Sequence, residues 1–309
     1  MLFLSRSDVA SLLTIDDCID AVEGAFRAFG EGRVGAPALA SVHAEGGAFH
    51  IKAAIAEGRF ATKVNGNFFR AVPRIKGVIV LCDAADGTPL AVMDSIEITI
   101  LRTGAATAVA AKYLAREDAR TALICGCGLQ GRIQARALRR VRPIGKVYAM
   151  DSSAAAAEAF AKELGQECDV EVVREPRDAD VVITCTPSRS AFLTDVGEGT
   201  FVAAVGADSD EKQELAPALL RKSKVVADVI EQCATIGDLH HAIAAGLMRR
   251  EDVHAELGEV VAGRKPGRER EDETIIFDST GMALQDVAAA SIAYDRAGAA
   301  GRGKVLDLI

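Results

Sequence analysis

The chain has 309 residues, more than one typical hydrophobic core accommodates and a length that suits two domains. Hydrophobic residues make up 50% of it, which argues against extensive disorder, and the formal net charge of −8 argues against nucleic acid or an anionic membrane as the main partner. No apolar run reaches the roughly 18 residues that a membrane-spanning helix needs, and the first eight residues meet charge too early for a secretory signal.

The seven cysteines are scattered along the chain in an odd number. Only Cys125 and Cys127 lie close together, and the glycine between them belongs to the turn described below. This pattern predicts reduced thiols in a cytoplasmic protein rather than disulfides, and it predicts no metal site, with zinc as the weak alternative.

The first third of the chain predicts a helix followed by an antiparallel sheet. Residues 14–30 carry an apolar stripe at helical spacing, with Thr14 and Asp17 placed as a capping box and Gly30 as the stop. Short strand-like runs follow at 49–51, 60–64, 77–82 and 90–93, and residues 84–89 predict a hairpin turn between the last two. A long helix is predicted from about 95 to about 114.

A glycine motif follows this helix. The apolar run 122–125 leads into Gly126-x-Gly128-x-x-Gly131, and a helical segment comes next. Gly126 allows a sharp turn, Gly128 lets backbone N–H groups approach a phosphate, and Gly131 lets the helix pack close to the strand. The motif alone is weak evidence in a glycine-rich chain, so its context decides between a dinucleotide site and a plain turn.

The context is a second predicted strand, 146–151, that ends on Asp151, 20 residues after Gly131. A carboxylate at this position can accept hydrogen bonds from the ribose hydroxyls of the cofactor and repel a 2′-phosphate. The sequence therefore predicts NAD rather than NADP.

The remaining apolar runs alternate with helical material. Strands are predicted at 170–173, 179–184, 200–206, 224–228 and 274–278, and helices at 152–164, 214–220 and about 281–297, with a charged loop at 264–273. Short strands that are apolar on both faces and alternate with helices predict a doubly wound parallel sheet of the Rossmann type, so the fold class is α/β.

Five motifs in order resemble the ornithine cyclodeaminase and μ-crystallin family, which includes NAD-dependent alanine dehydrogenases and cyclic imine reductases. They are Ala61-Thr-Lys63-Val, Leu101-Arg102-Thr103-Gly-Ala-Ala-Thr, Gly126-Cys-Gly-Leu-Gln130, Val205-Gly-Ala-Asp208 with Lys212-Gln-Glu-Leu, and Asp278-Ser-Thr-Gly281. The resemblance implies a homodimer in which each chain has a Rossmann domain, at 116–289, and a discontinuous α+β domain for substrate binding and dimerisation, at 1–115 with 290–309.

The resemblance also assigns the chemistry. It implies that Asp208 is an acid–base carboxylate and that Lys63 binds the substrate carboxylate and tunes proton transfer. Arg102 offers a planar fork for a carboxylate or a pyrophosphate. The ordinary alternatives are a surface lysine, a structural ion pair and a helix cap.

Further residues are expected at the cofactor. Besides Arg102 and Asp151, the expected cofactor-binding residues are Thr103, Gly126, Gly128, Leu129, Gln130, Gly131, Thr184, Cys185, Thr186, Val205, Gly206 and Ser279. Cys185 is expected to pack rather than to act as a nucleophile.

Two departures from the family pattern bear on the substrate. The family's usual second arginine falls near Leu39, and the acidic residue of the cyclodeaminases falls near His50, with Lys52 as an added cation. The sequence therefore favours an NAD-dependent oxidoreductase acting at the α-carbon of a small amino or imino acid, with Lys52 as a candidate substrate ligand. An ornithine cyclodeaminase and a non-catalytic, nucleotide-dependent binding protein stay open as alternatives.

Overall fold

The computed structural model describes residues 1–68 and 70–307. The strands are β1 (Leu2–Leu4), β2 (Ala38–Ala44), β3 (Gly47–Ala56), β4 (Arg59–Phe68), β5 (Ile75–Asp83), β6 (Pro89–Asp94), β7 (Thr121–Cys125), β8 (Lys146–Met150), β9 (Asp169–Val173), β10 (Val181–Thr184), β11 (Arg189–Leu193), β12 (Phe201–Ala204), β13 (Gln213–Leu215), β14 (Lys224–Ala227), β15 (Ala255–Glu256), β16 (Ile275–Asp278) and β17 (Lys304–Val305). The helices are α1 (Arg6–Leu12), α2 (Ile15–Gly30), α3 (Ile96–Leu114), α4 (Leu129–Val141), α5 (Ala154–Leu164), α6 (Pro217–Lys222), α7 (Ile230–Ile236), α8 (Asp238–Ala244), α9 (Leu257–Val261) and α10 (Ala283–Ala300), with a 3₁₀ turn at Arg250–Asp252.

The chain divides into two compact units. Unit 1 comprises Met1–Ala105 and Met282–Ile309, and unit 2 comprises Ala106–Gly281. The boundaries expected from the sequence were at 115 and 290; in the structure one falls within α3 and the other directly before α10.

Unit 1 is built on a seven-stranded sheet in the order β17-β1-β6-β5-β4-β3-β2. The strands from β2 to β6 pair antiparallel, as the sequence predicts, and the predicted turn joins β5 to β6. The short strand β1 runs parallel to β6, so the sheet is mixed rather than purely antiparallel. A strand of three residues shows too little alternation to be recognised from sequence.

The helices of unit 1 form through local signals and then bury their apolar sides. Thr14 and Asp17 make the predicted capping box at the start of α2, which continues to Gly30. Helix α10 packs on β3, β4 and β5, and α1 and α2 pack against α10. One face of the sheet is thereby covered.

The opposite face of the same sheet stays open. Because directly paired residues share a face, the register places Val42 and Phe49 on one face with Ile55, Val78 and Phe3. These five side chains are between 41% and 57% exposed. We call them the open-face residues.

Unit 2 is the predicted doubly wound sheet. Its eight strands lie in the order β15-β14-β16-β12-β10-β7-β8-β9, and every neighbouring pair is parallel. The central strands β10, β12 and β16 are buried along their whole length, as expected for a sheet with helices on both faces. Within the described residues, no helix is long and apolar enough to span a membrane.

The predicted helix at 214–220 is wrong in its first half. Gln213–Leu215 forms β13, which pairs in parallel with β11, and the helix begins only at Pro217. Pairing with a strand distant in sequence overrides the local helical preference, and a proline fits the first helical position because it has no N–H to satisfy.

Candidate active site

The glycine turn in unit 2 has the geometry that the motif predicts. Gly126 follows β7 with a φ of +102°, which favours glycine. A Cβ on Gly131 would lie 2.0 Å from the carbonyl oxygen of Gly126, so α4 can approach the strand only with glycine there. A Cβ on Gly128, the N-cap of α4, would meet nothing within 4 Å, so its backbone is accessible to a phosphate.

This turn lies at the switch point of the sheet. Strand β7 is central, and the chain continues from it to β8 on one side and later to β10 on the other. The backbone N–H of Cys185, directly after β10, donates to the carbonyl of Cys125 at 2.9 Å. The loops after β7 and β10 therefore meet at the carboxyl edge, where doubly wound sheets bind nucleotides.

Asp151 follows β8, and its carboxylate supports the turn. Its two oxygens accept hydrogen bonds from the backbone N–H groups of Cys127, at 2.7 Å, and Ser153, at 2.8 Å. Each carboxylate oxygen has a second lone pair, so both can still accept from a ribose hydroxyl. Asp151 also lines a cavity of about 410 Å³ together with Arg174 and Phe192.

The other expected cofactor residues of unit 2 lie at the same edge of the sheet. Leu129 and Gln130 open α4, and Leu129 is 60% exposed. Thr184 is the last residue of β10, and Val205 and Gly206 follow β12. Ser279, directly after β16, donates its hydroxyl to Asp228 at 3.1 Å.

Cys185 packs rather than reacts. Its thiol donates to the carbonyls of Cys125 and Gly126, at 3.3 and 3.2 Å. Burial raises the pKa of this thiol well above its usual range, so the reactive thiolate is disfavoured. The expectation of a packing role agrees with this environment.

These residues fit a dinucleotide. Gly126 and Gly131 allow the close packing of the turn, Gly128 leaves its backbone open to a pyrophosphate, and the cavity lined by Asp151 offers space for an adenosine. The turn and the carboxylate supply the two kinds of contact that NAD requires, which are N–H donors for phosphate and an acceptor for the ribose.

Unit 1 contains a separate cluster of buried charges on the face of the sheet that α10 covers. Lys52 of β3 and Lys63 of β4 are directly opposite each other, and Leu39 of β2 is opposite Lys52. Lys52 is 7% exposed and Lys63 3%. Two like charges in one cross-strand pair destabilise a sheet unless an anion compensates them.

Asp286 of α10 supplies that anion. The Nζ of Lys63 donates to both of its oxygens, at 2.8 and 2.7 Å. The Nε of Arg102 lies 3.2 Å from Oδ1 but is not aligned for a hydrogen bond, while another guanidinium nitrogen donates to the side-chain oxygen of Gln285 at 3.0 Å. We call the group formed by Lys52, Lys63, Arg102 and Asp286 the cationic cluster. The sequence predicts its three basic members as substrate-binding residues.

The charges of this cluster shift the pKa values of Lys63 and Asp286. Burial and the charge of Arg102 lower the pKa of Lys63 to about 7, against the attraction of Asp286. Burial alone would raise the pKa of Asp286, but Lys63 and Arg102 outweigh it, so this pKa is lowered and the carboxylate stays ionised. Lys63 and Arg102 share the carboxylate of Asp286, an arrangement suited to a second, bound carboxylate.

Two more predicted site residues are Asp208 and Thr103. Asp208 follows β12 in unit 2, its side chain is 50% exposed, and it forms an ion pair with Lys212. Thr103 of α3 donates its hydroxyl to the carbonyl of Thr99 at 2.6 Å, within its own helix.

Sequence reasoning missed Asp286 and Gln285. Both lie in α10, whose neighbouring residues are mostly alanine, leucine and valine, and both are buried. The available signal was a carboxylate and an amide within a mostly apolar helix. Such polar groups, when buried, need buried partners, so they indicate a polar site.

Comparison with known proteins places this site in context. The family model described as "Ornithine cyclodeaminase/mu-crystallin family" matches residues 1–301. The alanine dehydrogenase of Archaeoglobus fulgidus is 41% identical over 305 residues, covering 96% of this chain and 95% of that protein.

Two solved structures share the whole fold. An archaeal alanine dehydrogenase dimer with bound NAD superposes with a TM-score of 0.97 at 38% identity, covering 100% of this chain and 99% of the other. The Thermococcus litoralis Δ1-pyrroline-2-carboxylate reductase in complex with NADH and L-proline gives a TM-score of 0.94 at 33% identity, covering 99% and 100%.

Proposed function

The chain belongs to the ornithine cyclodeaminase and mu-crystallin family, and we propose that it catalyses an NAD-dependent oxidation or reduction at the α-carbon of a small amino or imino acid. It is an enzyme of the oxidoreductase type, and NAD is its cofactor.

The observation that carries the proposal is that two buried cations, Lys63 and Arg102, share one carboxylate in the cationic cluster. The carboxylate that they share is that of Asp286, so a ligand carboxylate would add a second anion to these two cations. Every α-amino acid and 2-imino acid carries such a group, which supports the substrate class. Arg102 can hold it bidentately, and Lys63 and Lys52 add charge.

The chain's residues have distinct roles in this proposal. NAD, when bound, would supply the hydride chemistry at the α-carbon. Arg102 and Lys63 hold and orient the carboxylate of the substrate. Lys63, with a pKa of about 7, can also release or take up a proton near neutral pH. Asp208 is the proposed acid–base carboxylate that moves protons as the amine becomes an imine and water adds to that imine.

Dehydrogenase and cyclodeaminase chemistry differ in what attacks the imine. Water yields ammonia and a 2-oxo acid, whereas the side-chain amine of ornithine would yield a cyclic amino acid. The position of the family's usual second arginine falls near Leu39, which lies opposite Lys52 in the sheet, and the position of the acidic residue of the cyclodeaminases falls near His50. This favours the dehydrogenase or imine reductase, with Lys52 in place of the arginine. Retention of Lys63, Arg102 and Asp208 disfavours a purely binding role.

A cofactor absorbance assay tests the proposal. Purified protein with NADH, ammonia and a panel of 2-oxo acids, and with NAD and the matching amino acids including ornithine and proline, is expected to show turnover of small substrates. Product identification separates a 2-oxo acid from a cyclic amino acid. If the protein binds NADH but turns over no member of the panel, the binding-protein alternative replaces this one.

Cofactor preference gives the first prediction. NADH is expected to bind more tightly than NADPH, because Asp151 would face the 2′-phosphate. Asp151→Ser should narrow that gap by about 10- to 100-fold, the range of one charge-assisted hydrogen bond, because Arg174 lines the same cavity and could then pair with the phosphate. Dissociation constants from NADH and NADPH fluorescence measure the effect.

The control for this prediction uses the two arginines of one loop. Arg174→Ala in the Asp151→Ser background should remove the gain in NADPH affinity, while Arg177→Ala, whose side chain is also exposed, should not. Equal affinity of the native protein for NADH and NADPH would contradict the role given to Asp151.

Unit 1 is also the proposed surface of a homodimer. The open-face residues form an apolar area on an uncovered sheet face, and a second copy of the same face would cover it. The archaeal alanine dehydrogenase, which shares the fold, is a dimer. The free state of all seven cysteines supports a cytoplasmic location for this dimer.

We expect a charge on this face to separate the two copies. Val78→Asp should shift the mass in light scattering from two chains to one at micromolar concentration, because a buried, unpaired carboxylate is costly in an interface. Val172→Asp is the matched control, since Val172 is 43% exposed on β9 and Val78 is 41% exposed. A native protein that is monomeric, or a dimeric Val78→Asp variant, would show that this face is not the interface.

A further inference from the structure

Glu214 is a completely buried carboxylate that the proposed chemistry does not use. It lies in β13, within the Lys212-Gln-Glu-Leu motif. One of its oxygens accepts from the backbone N–H and the hydroxyl of Thr186, at 2.6 and 2.7 Å, and the other accepts from the backbone N–H of Gly206 at 2.9 Å. Three donors converge on one side chain.

Those donors belong to two different loops. Thr186 lies in the loop after β10 and Gly206 in the loop after β12, at the carboxyl edge where the nucleotide is expected. A Cβ on Gly206 would lie 2.5 Å from the carboxylate of Glu214, so this close approach requires glycine. The carboxylate thus bridges the two loops.

The backbone of Glu214 is held by a second buried carboxylate, that of Asp238. The backbone N–H groups of Glu214 and Leu215 both donate to Oδ1 of Asp238, at 2.9 Å. The backbone N–H groups of Asp238 and Leu239 donate in turn to Asp278, at 3.3 and 2.8 Å. Three buried carboxylates therefore connect the two loops to the start of α8 and the end of β16.

We propose that Glu214 is a positioning residue for the cofactor: by fixing the loops after β10 and β12 in one arrangement, it prepares the NAD site before the cofactor arrives. The inference rests on the proposed function, since it concerns the same NAD site. Its physical basis is preorganisation, because loops already held in the bound arrangement do not lose conformational freedom on binding.

The charge state of Glu214 connects this role to pH. Burial and the nearby charge of Asp238 raise the pKa of Glu214 to about 7, while hydrogen bonds from Thr186 oppose the rise. The other titratable groups that face it are the thiols of Cys125 and Cys185, whose pKa values burial raises. The ionised form accepts all three hydrogen bonds, so NADH affinity should be full above pH 7 and fall as the pH drops through it.

Glu214→Gln tests the inference directly. The amide keeps the size of the side chain but places an NH₂ group against an N–H donor. The dissociation constant of NADH, measured by fluorescence at pH 8, should rise by about 10- to 100-fold, and its dependence on pH around 7 should flatten. At saturating NADH, kcat should stay near the native value. Glu211→Gln, an exposed residue of the same segment, should change none of these.

A second pair of variants tests the same contact if Glu214→Gln does not fold. Thr186→Ser keeps the hydroxyl that donates to Glu214, whereas Thr186→Val removes it. Valine should weaken NADH binding several-fold more than serine, because only serine keeps the hydroxyl that donates to Glu214.

The outcomes separate this inference from the proposed function. A folded Glu214→Gln variant with native NADH affinity and native pH dependence would overturn the positioning role, as would equal affinities of the serine and valine variants at Thr186. Native protein that fails to bind NADH at all would instead overturn the proposed function.

Discussion

Asp208→Asn is expected to lower kcat by about 10²- to 10⁴-fold, the usual contribution of a positioned acid or base. Asparagine has the shape of aspartate but neither accepts nor releases a proton in this range. Asp208 follows Val205 and Gly206 after β12, at the carboxyl edge of the sheet, and is half exposed, so water and substrate can reach it.

The measurement is kcat for the substrate that the panel identifies, with the NADH dissociation constant determined on the same sample. NADH binding should be nearly unchanged, because the glycine turn and Asp151 are intact. Asp210→Asn, an exposed carboxylate two residues further on, is the matched control and should keep native turnover. A folded, NADH-binding Asp208→Asn variant with native kcat would show that Asp208 is not the acid or base of the reaction.

Lys63→Met should reduce kcat/KM by about 10³-fold or more, with a higher KM and a lower kcat, because one buried cation holds the carboxylate and also moves a proton. The methionine side chain fills the space of the lysine stem. Steady-state kinetics with the identified substrate measure both constants.

The Lys63→Met variant can lose activity through a loss of fold stability as well as through the loss of a catalytic group. Removing Lys63 leaves the buried Asp286 with Arg102 as its remaining close ion-pair partner, which should destabilise the fold. The double variant Lys63→Met with Asp286→Asn removes both charges and should recover thermal stability while remaining inactive. A double variant that recovers both stability and activity would assign Lys63 a structural ion pair only.

The pKa of Lys63 also predicts how substrate affinity changes with pH. The ammonium form binds an anion, so the affinity of the NADH-bound enzyme for a 2-oxo acid should be highest below pH 7 and fall as the pH rises through about 7. The charge of Asp286 raises the pKa of Lys63, so Asp286→Asn should move that midpoint to lower pH. A midpoint that stays in place would show that Lys63 is not the titrating group.

The sequence by itself determined the features that depend only on residues close together along the chain. The turn around Gly126 and Gly131 and the strand ending at Asp151 are local patterns, and the structure confirms the steric need for glycine at each of those two positions. The Rossmann-type sheet follows from the same reasoning, because alternating apolar strands and helices have few ways to pack. The family resemblance supplied Lys63, Arg102 and Asp208, whose catalytic roles stay predictions.

Only the tertiary structure decided which side chains share a buried site. Asp286 lies 223 residues from Lys63 in sequence, and its role as the anion of the cationic cluster depends on α10 packing against β4. Glu214 was expected in a helix, but pairing of β13 with β11 places it in a strand, with its carboxylate between two loops. A short segment of sequence shows its helix or strand propensity and the spacing of its apolar residues. The partner of a buried charge depends on packing between segments that are distant in sequence, which no short segment predicts.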